Sequence, residues 1–237
     1  MARDTLNFCH VLMRAHRLGL SNSSLFVDVG ADVGTEARLA RGFGHPVVSF
    51  ECRGAHWLKM SSRPAFADDA GMRLVHACVS DRNGLGVLHK AMDSSSMMKS
   101  SVQDPGAAWK ARREQRSGGA GSGGAAGATE PVPVVTLDSA VGAASIAALW
   151  PGLAHARVGF VKIDVQGVEG AVLTGALGVL REHAPFIFYE DSMLPTEDRK
   201  GVLLARMLAP SGGLSYVCEC DNDCFCQPTG GRRGPRG

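Results

Sequence analysis

The chain has 237 residues, 25 Lys and Arg against 23 Asp and Glu, and 45% hydrophobic residues. That length supports one full hydrophobic core, and the composition is globular rather than disordered or fibrous. The net charge of +2 argues against a dedicated nucleic-acid binder, which concentrates basic residues on one face. No stretch is apolar over the ~18 residues of a transmembrane helix, and the first residues lack the apolar core of a secretory signal. Four of the seven cysteines crowd into 218–226, unlike a disulfide framework spread over a small secreted fold. A reducing, cytoplasmic location is the expectation.

In chain order, Leu6, Cys9, Leu12 and Met13 recur at helical spacing between Asp4 and Leu18, and Gly19 can end that helix. Residues 1–24 read as an N-terminal helix and lead-in, and 25–227 as the main domain. Leu25–Gly30 is a short apolar run ending in a carboxylate and a glycine, the pattern of a buried strand. Thr35–Gly42 is helix-prone. Pro46–Glu51 and Arg73–Val79 are further strands, and a hairpin-like segment follows at Gly86–Lys90. Met92–Gln115 is polar and irregular, and Ser117–Ala128 is a low-complexity, flexible insertion. Order resumes at Val132. The spacing predicts helices over Thr136–Trp150, Gly167–Leu180 and Thr196–Leu208, and strands over Val158–Asp164 and Phe186–Glu190. Leu214–Glu219 and Cys224–Gln227 flank Asp221-Asn222-Asp223 as an antiparallel hairpin, and 228–237 reads as a disordered tail. Strands alternating with helices imply an α/β doubly wound, mostly parallel sheet with helices on both faces and an antiparallel edge.

Three segments carry chemistry. Asp28-Val29-Gly30-Ala31-Asp32-Val33-Gly34 joins a strand to a helix, and its glycines admit a close ligand. It lacks the Gly-x-Gly-x-x-Gly of a dinucleotide loop, and its two aspartates suit a cationic ligand. Glu51 ends the second strand, where a carboxylate can accept both hydroxyls of a ribose. In Val161-Lys162-Ile163-Asp164, alternation puts Lys162 and Asp164 on one face. A lysine inside a central strand needs a carboxylate partner, with Asp28 and Asp138 as candidates. Asp164 lies at the carboxyl end, where open sheets of this kind bind ligands. The four hairpin cysteines, Cys218, Cys220, Cys224 and Cys226, read first as small apolar packing, with zinc or disulfides as alternatives. The eight histidines show no ligand spacing, and no metal site is expected.

Phe26–Gly34, Val48–Glu51, Thr136-Leu137-Asp138, Phe160–Glu169 and Glu190 resemble the ordered motifs of the FkbM family, class I methyltransferases that use S-adenosylmethionine. The resemblance covers about Leu25 to Gln227, and Lys162-Ile163-Asp164-Val165-Gln166-Gly167-Val168-Glu169 is its most specific part. It implies a Rossmann-like fold with a seven-stranded sheet, and methyl transfer commonly to a hydroxyl. Asp32 stands where the family usually has Asn, Cys52 where Pro often stands, and Gln166 where Glu is favoured. On this reading Glu51 takes the cofactor's ribose and the loop through Gly30, Ala31 and Gly34 passes under its methionine moiety. Asp28 or Asp32 faces the ammonium, and Asp81 receives the adenine amine. Asp164, Glu169 and Glu190 are the candidate bases, with Lys162 beside them. The expected partner is a small-molecule or glycan acceptor, and the sequence is silent on oligomeric state. The alternatives are a ligand-binding member without turnover and a nicotinamide-dependent oxidoreductase, the latter weakened by the missing glycine pattern.

Overall fold

The computed structural model describes residues 2–89, 129–150, 156–191, 194–209 and 214–229. The low-complexity stretch and all but the first two residues of the expected tail lie outside them. In chain order the strands are β1 (Leu25–Val29), β2 (Val47–Glu51), β3 (Met72–His76), β4 (Cys78–Val79), β5 (Gly84–His89), β6 (Thr129–Val135), β7 (Val158–Ile163), β8 (Phe186–Glu190), β9 (Tyr216–Cys220) and β10 (Asp223–Pro228). The helices are α1 (Ala2–Arg17), α2 (Thr35–Gly42), α3 (Gly54–Ser61), α4 (Pro64–Ala67), α5 (Leu137–Ala140), α6 (Ala143–Leu149), α7 (Glu169–Thr174), α8 (Leu177–His183) and α9 (Val202–Leu208).

Seven strands form one sheet in the order β3-β2-β1-β7-β8-β10-β9. The first five run parallel, and β10 and β9 add the antiparallel hairpin at one edge. All five residues of β1 and of β2 are buried, as strands covered on both faces must be. On one face, Phe8, Leu12 and Ala15 of α1 and Ala37 and Ala40 of α2 pack on Phe26 and Phe160. The Phe8 ring meets Phe26 and Phe160 edge-on, at 5.9 and 6.0 Å. Helix α1 is therefore part of the core, not a lead-in beside it. On the other face, Val172 and Leu173 of α7, Leu180 of α8 and Leu204 of α9 pack on Val27, Val161 and Ile187.

Several elements differ from the periodicity reading. The strand expected at Arg73–Val79 divides. Its first part, β3, edges the main sheet, and its last residues form β4 in a small sheet of order β4-β6-β5. The segment expected to be hairpin-like is β5, which pairs antiparallel with the sequence-distant β6. The helix expected over Thr136–Trp150 breaks at Gly142 into α5 and α6, and that over Gly167–Leu180 breaks at Gly175 into α7 and α8. The Thr196–Leu208 helix is a 3-10 turn at Thr196–Asp198 followed by α9.

The cysteines also depart from expectation. Cys218 pairs with Cys226 and Cys220 with Cys224, directly opposite each other in the β9–β10 register, with Cα atoms 4.0 and 4.1 Å apart. Cys52 pairs with Cys78, and Cys9 is free. In the hairpin, strand pairing, which spacing alone did not weigh, brings each thiol to its partner. The cytoplasmic expectation therefore loses its cysteine argument, because disulfides persist in oxidising compartments. Among the described residues, no helix is long and apolar enough to cross a membrane.

Candidate cofactor and active site

Strand order reverses beside β1, with β2 and β3 to one side and β7 and β8 to the other. Such a reversal opens a crevice at the carboxyl ends of the strands. A cavity of about 240 Å³ lies there.

Its floor is built from charge. Asp28 and Lys162 face each other in register on β1 and β7. Lys162 Nζ lies 3.3 Å from Asp28 Oδ1, donates to the Gly30 carbonyl at 2.8 Å, and is 3.9 Å from Asp164 Oδ2. Asp28 is 0% exposed and Lys162 4%. Burial pushes the Asp28 carboxyl up to about 6, against the pull of Lys162. Burial works against the Lys162 ammonium as well. Asp28, Asp164 and Glu36 outweigh it and hold that ammonium above the usual lysine range. Of the two candidate partners, the lysine takes Asp28. Asp138 instead accepts the Gly178 and Val179 amides at 3.0 and 2.8 Å, at the start of α8.

The glycine loop sits on this pair. Gly30 has φ +77°, and a Cβ there would run into the Asp164 carbonyl oxygen, so the loop and the end of β7 touch only because Gly30 has no side chain. Gly34, at φ +74°, packs in the same way against Phe66. Gly30 and Asp32 line the cavity. Ala31 and Gly34 are buried behind the loop, and Asp28 lies beneath it.

Glu51 lines the cavity and is 5% exposed. Its Oε2 accepts the Asp32 amide and its Oε1 the Arg53 amide, both at 2.7 Å. These bonds fix the carboxylate and leave each oxygen one further lone pair. Next to it, Phe50, Ala77, Cys78, Val79 and Leu88 form an apolar wall.

Asp164 lines the opposite side, with its side chain 49% exposed, beside Gln166 in a left-handed conformation at φ 57°. The other carboxylates expected to act are placed elsewhere. Glu169 is wholly buried and accepts the Val165 and Gly167 amides at 3.3 and 3.0 Å, bracing the loop that carries Asp164. Burial raises its pKa against those amides. Glu190 ends β8 opposite Asp223, and Asp81 is an exposed residue 3.8 Å from Arg82. Neither lines the cavity. Cys52, Arg53 and His56 also line the cavity, and the sequence reading gave none of them a place in the site. Their signal was position, since they follow the strand-end Glu51 into the first turn of α3.

Fold and cavity together define a Rossmann-like α/β protein with a crevice at the carboxyl ends of its strands. The signature of the methyltransferase FkbM domain matches residues 28–220, and the chain belongs to the FkbM methyltransferase family. It is similar in structure to the FkbM methyltransferase of Methylobacillus flagellatus KT, with TM-score 0.56 and 13% identity, over 93% of this chain and 47% of that one. The chain thus spans about half the length of that protein. The N-terminal domain of human METTL16, solved with SAH, matches with TM-score 0.44 and 8% identity, over 94% of this chain and 68% of that one. No curated protein matches the chain.

The family implies S-adenosylmethionine as cofactor. The residues present fit it: an apolar slot for a flat ring stands beside a fixed carboxylate with two open lone pairs, and a loop without side chain at Gly30 passes alongside.

Proposed function

We propose that this chain is an S-adenosylmethionine-dependent O-methyltransferase acting on a hydroxyl of a small molecule or sugar. The observation that carries the reading is Asp164, the half-exposed carboxylate at the end of β7, lining the same cavity as Glu51 and Gly30. When bound, the cofactor supplies an electrophilic methyl group on a sulfonium centre. Glu51 holds the ribose, and Phe50, Ala77 and Val79 exclude water from the ring. Asp32 faces the ammonium. Asp164 would accept the acceptor hydroxyl's proton, with the methyl carbon exchanging its bond to the cofactor's sulfur, which leaves as the neutral thioether, for one to that oxygen. Alignment of the reacting atoms supplies much of such an acceleration, up to about 7–11 kcal/mol, and a placed base about 10²–10⁴-fold.

The test incubates the protein and cofactor with a panel of phenols, sugars and amines, followed by mass spectrometry. A gain of one methylene mass on oxygen is the expected product. Methylation confined to nitrogen or carbon would overturn the reading, and binding without any product would favour a non-catalytic member of the family.

Glu51→Ala removes both ribose acceptors. Charged hydrogen bonds of this kind are worth about 1.5–3 kcal/mol, so affinity for S-adenosylhomocysteine should fall about tenfold or more by calorimetry. Unchanged affinity would remove Glu51 from the site.

A further inference from the structure

Asp32 is the one residue of the glycine loop that presents a charged side chain to the cavity, and it does so from an unfavourable backbone. Its φ of 48° lies in the left-handed region, which a residue bearing a Cβ adopts only when its surroundings hold it there. Two contacts hold it. Its amide donates to Glu51 Oε2 at 2.7 Å. Its carboxylate Oδ1 lies 2.6 Å from His56 Nδ1. A carboxylate oxygen only accepts, so Nδ1 carries the proton.

His56 is itself held from behind. It sits on α3, whose Met60 is fully buried and whose Gly54 amide donates to Glu130 Oε1 at 3.2 Å. A fixed helix therefore grips the Asp32 side chain, and the Asp32 amide fixes Glu51. The grip opposes a repulsion, because Asp32, Glu51 and Asp164 are three carboxylates in one cavity. Without His56, the Asp32 side chain, already 65% exposed, loses the contact that fixes its direction, and its backbone can leave the left-handed region and carry the amide off Glu51.

We propose that His56 is a positioning residue for cofactor binding, acting through Asp32 on the carboxylate of Glu51. The proposal rests on the assignment of Glu51 to the cofactor's ribose.

The test measures S-adenosylhomocysteine affinity by calorimetry for the intact protein and for Glu51→Ala, His56→Leu, His56→Asn, Asp32→Ala and the Asp32→Ala/His56→Leu double variant. The asparagine side-chain nitrogen takes the place of Nδ1 and keeps the donor. His56→Leu should weaken binding about fivefold, a charged hydrogen bond discounted for partial exposure, with the asparagine variant within about twofold of the intact protein. The double variant should bind no worse than Asp32→Ala alone, because His56 acts only through Asp32. In turnover, His56→Leu should raise KM for the cofactor and leave kcat nearly unchanged. Equal losses in the leucine and asparagine variants would reduce His56 to packing and overturn the proposal. Intact affinity in His56→Leu, alongside lost affinity in Glu51→Ala, would overturn it too while leaving the ribose assignment standing. Failure of the intact protein to bind S-adenosylhomocysteine would sink both.

Discussion

Lys162→Met should destabilise the protein by about 3–5 kcal/mol, the effect of leaving one partner of a buried ion pair uncompensated. The methionine fills much the same space, so the loss is electrostatic. Asp28, wholly buried, would lose its ion pair with Lys162, and the Gly30 carbonyl would lose its donor. The loss should depend on pH in a defined direction. Burial already lifts Asp28 to about 6, above the ordinary aspartate value of about 4. Between those values the folded protein holds a proton that the unfolded chain has released, so this contribution to stability is present at low pH and is lost as pH rises toward 6. Removing Lys162 takes away the pull that keeps Asp28 from rising further, which extends the window upward. The variant's deficit should therefore be larger at pH 8 than at pH 5 in urea unfolding. Asp28→Asn combined with Lys162→Met should recover much of it, since the double change buries no lone charge. A single variant as stable as the intact protein at pH 8 would show that the pair does not hold the floor of the site.

The elements that sequence placed well are those whose signal is local. β1, α2, β2, β7 and β8 are short apolar runs or amphipathic turns with breakers at their ends, and the terminal hairpin carries Asp221-Asn222-Asp223 at its bend. What periodicity could not carry is pairing between distant segments. β5 finds its partner β6 only across residues 90–128, and β4 leaves the main sheet to join them. The helix breaks at Gly142 and Gly175 were visible as glycines, yet a lone glycine is tolerated in a helix at a loss of about 1 kcal/mol and does not announce a stop. Gly175 is tied to tertiary contact: a Cβ there would meet the Ser80 backbone.

The site divides in the same way. Glu51, Gly30 and Asp164 were legible because strand-end position in a doubly wound sheet is itself the signal. Glu169, Glu190, Asp81 and Asp138 carry the same side-chain chemistry as Asp164 or Glu51, and the sequence does not say whether a carboxylate meets solvent, a ligand or the backbone amides of the next turn. Glu169 and Asp138 accept backbone amides, at the Asp164 loop and at the start of α8. His56 escaped for the complementary reason. It has no ligand spacing within the sequence, and its partner Asp32 becomes a neighbour only when α3 folds back against the β1 loop.

Asp164→Asn should lower turnover by about 10²-fold or more while leaving folding and cofactor affinity nearly as they were. The expectation depends on which carboxylate neutralises the buried lysine. Lys162 lies 3.3 Å from the buried Asp28 and 3.9 Å from the half-exposed Asp164, so the asparagine variant keeps the closer ion pair and buries no unpaired charge. Its stability should change by under ~1 kcal/mol, the usual worth of an exposed pair. Glu51 and the apolar wall, which hold the cofactor's nucleoside in this reading, are untouched. What the substitution removes is basicity, with shape and hydrogen-bonding capacity kept. A Glu169→Gln variant is the contrast: it weakens the brace under the Asp164 loop and should lower stability together with activity. Thermal unfolding, S-adenosylhomocysteine affinity and turnover measured on both variants separate the two roles. An asparagine variant at position 164 that melts early yet turns over normally while folded would make Asp164 a structural counter-ion of Lys162 and end its assignment as the proton acceptor.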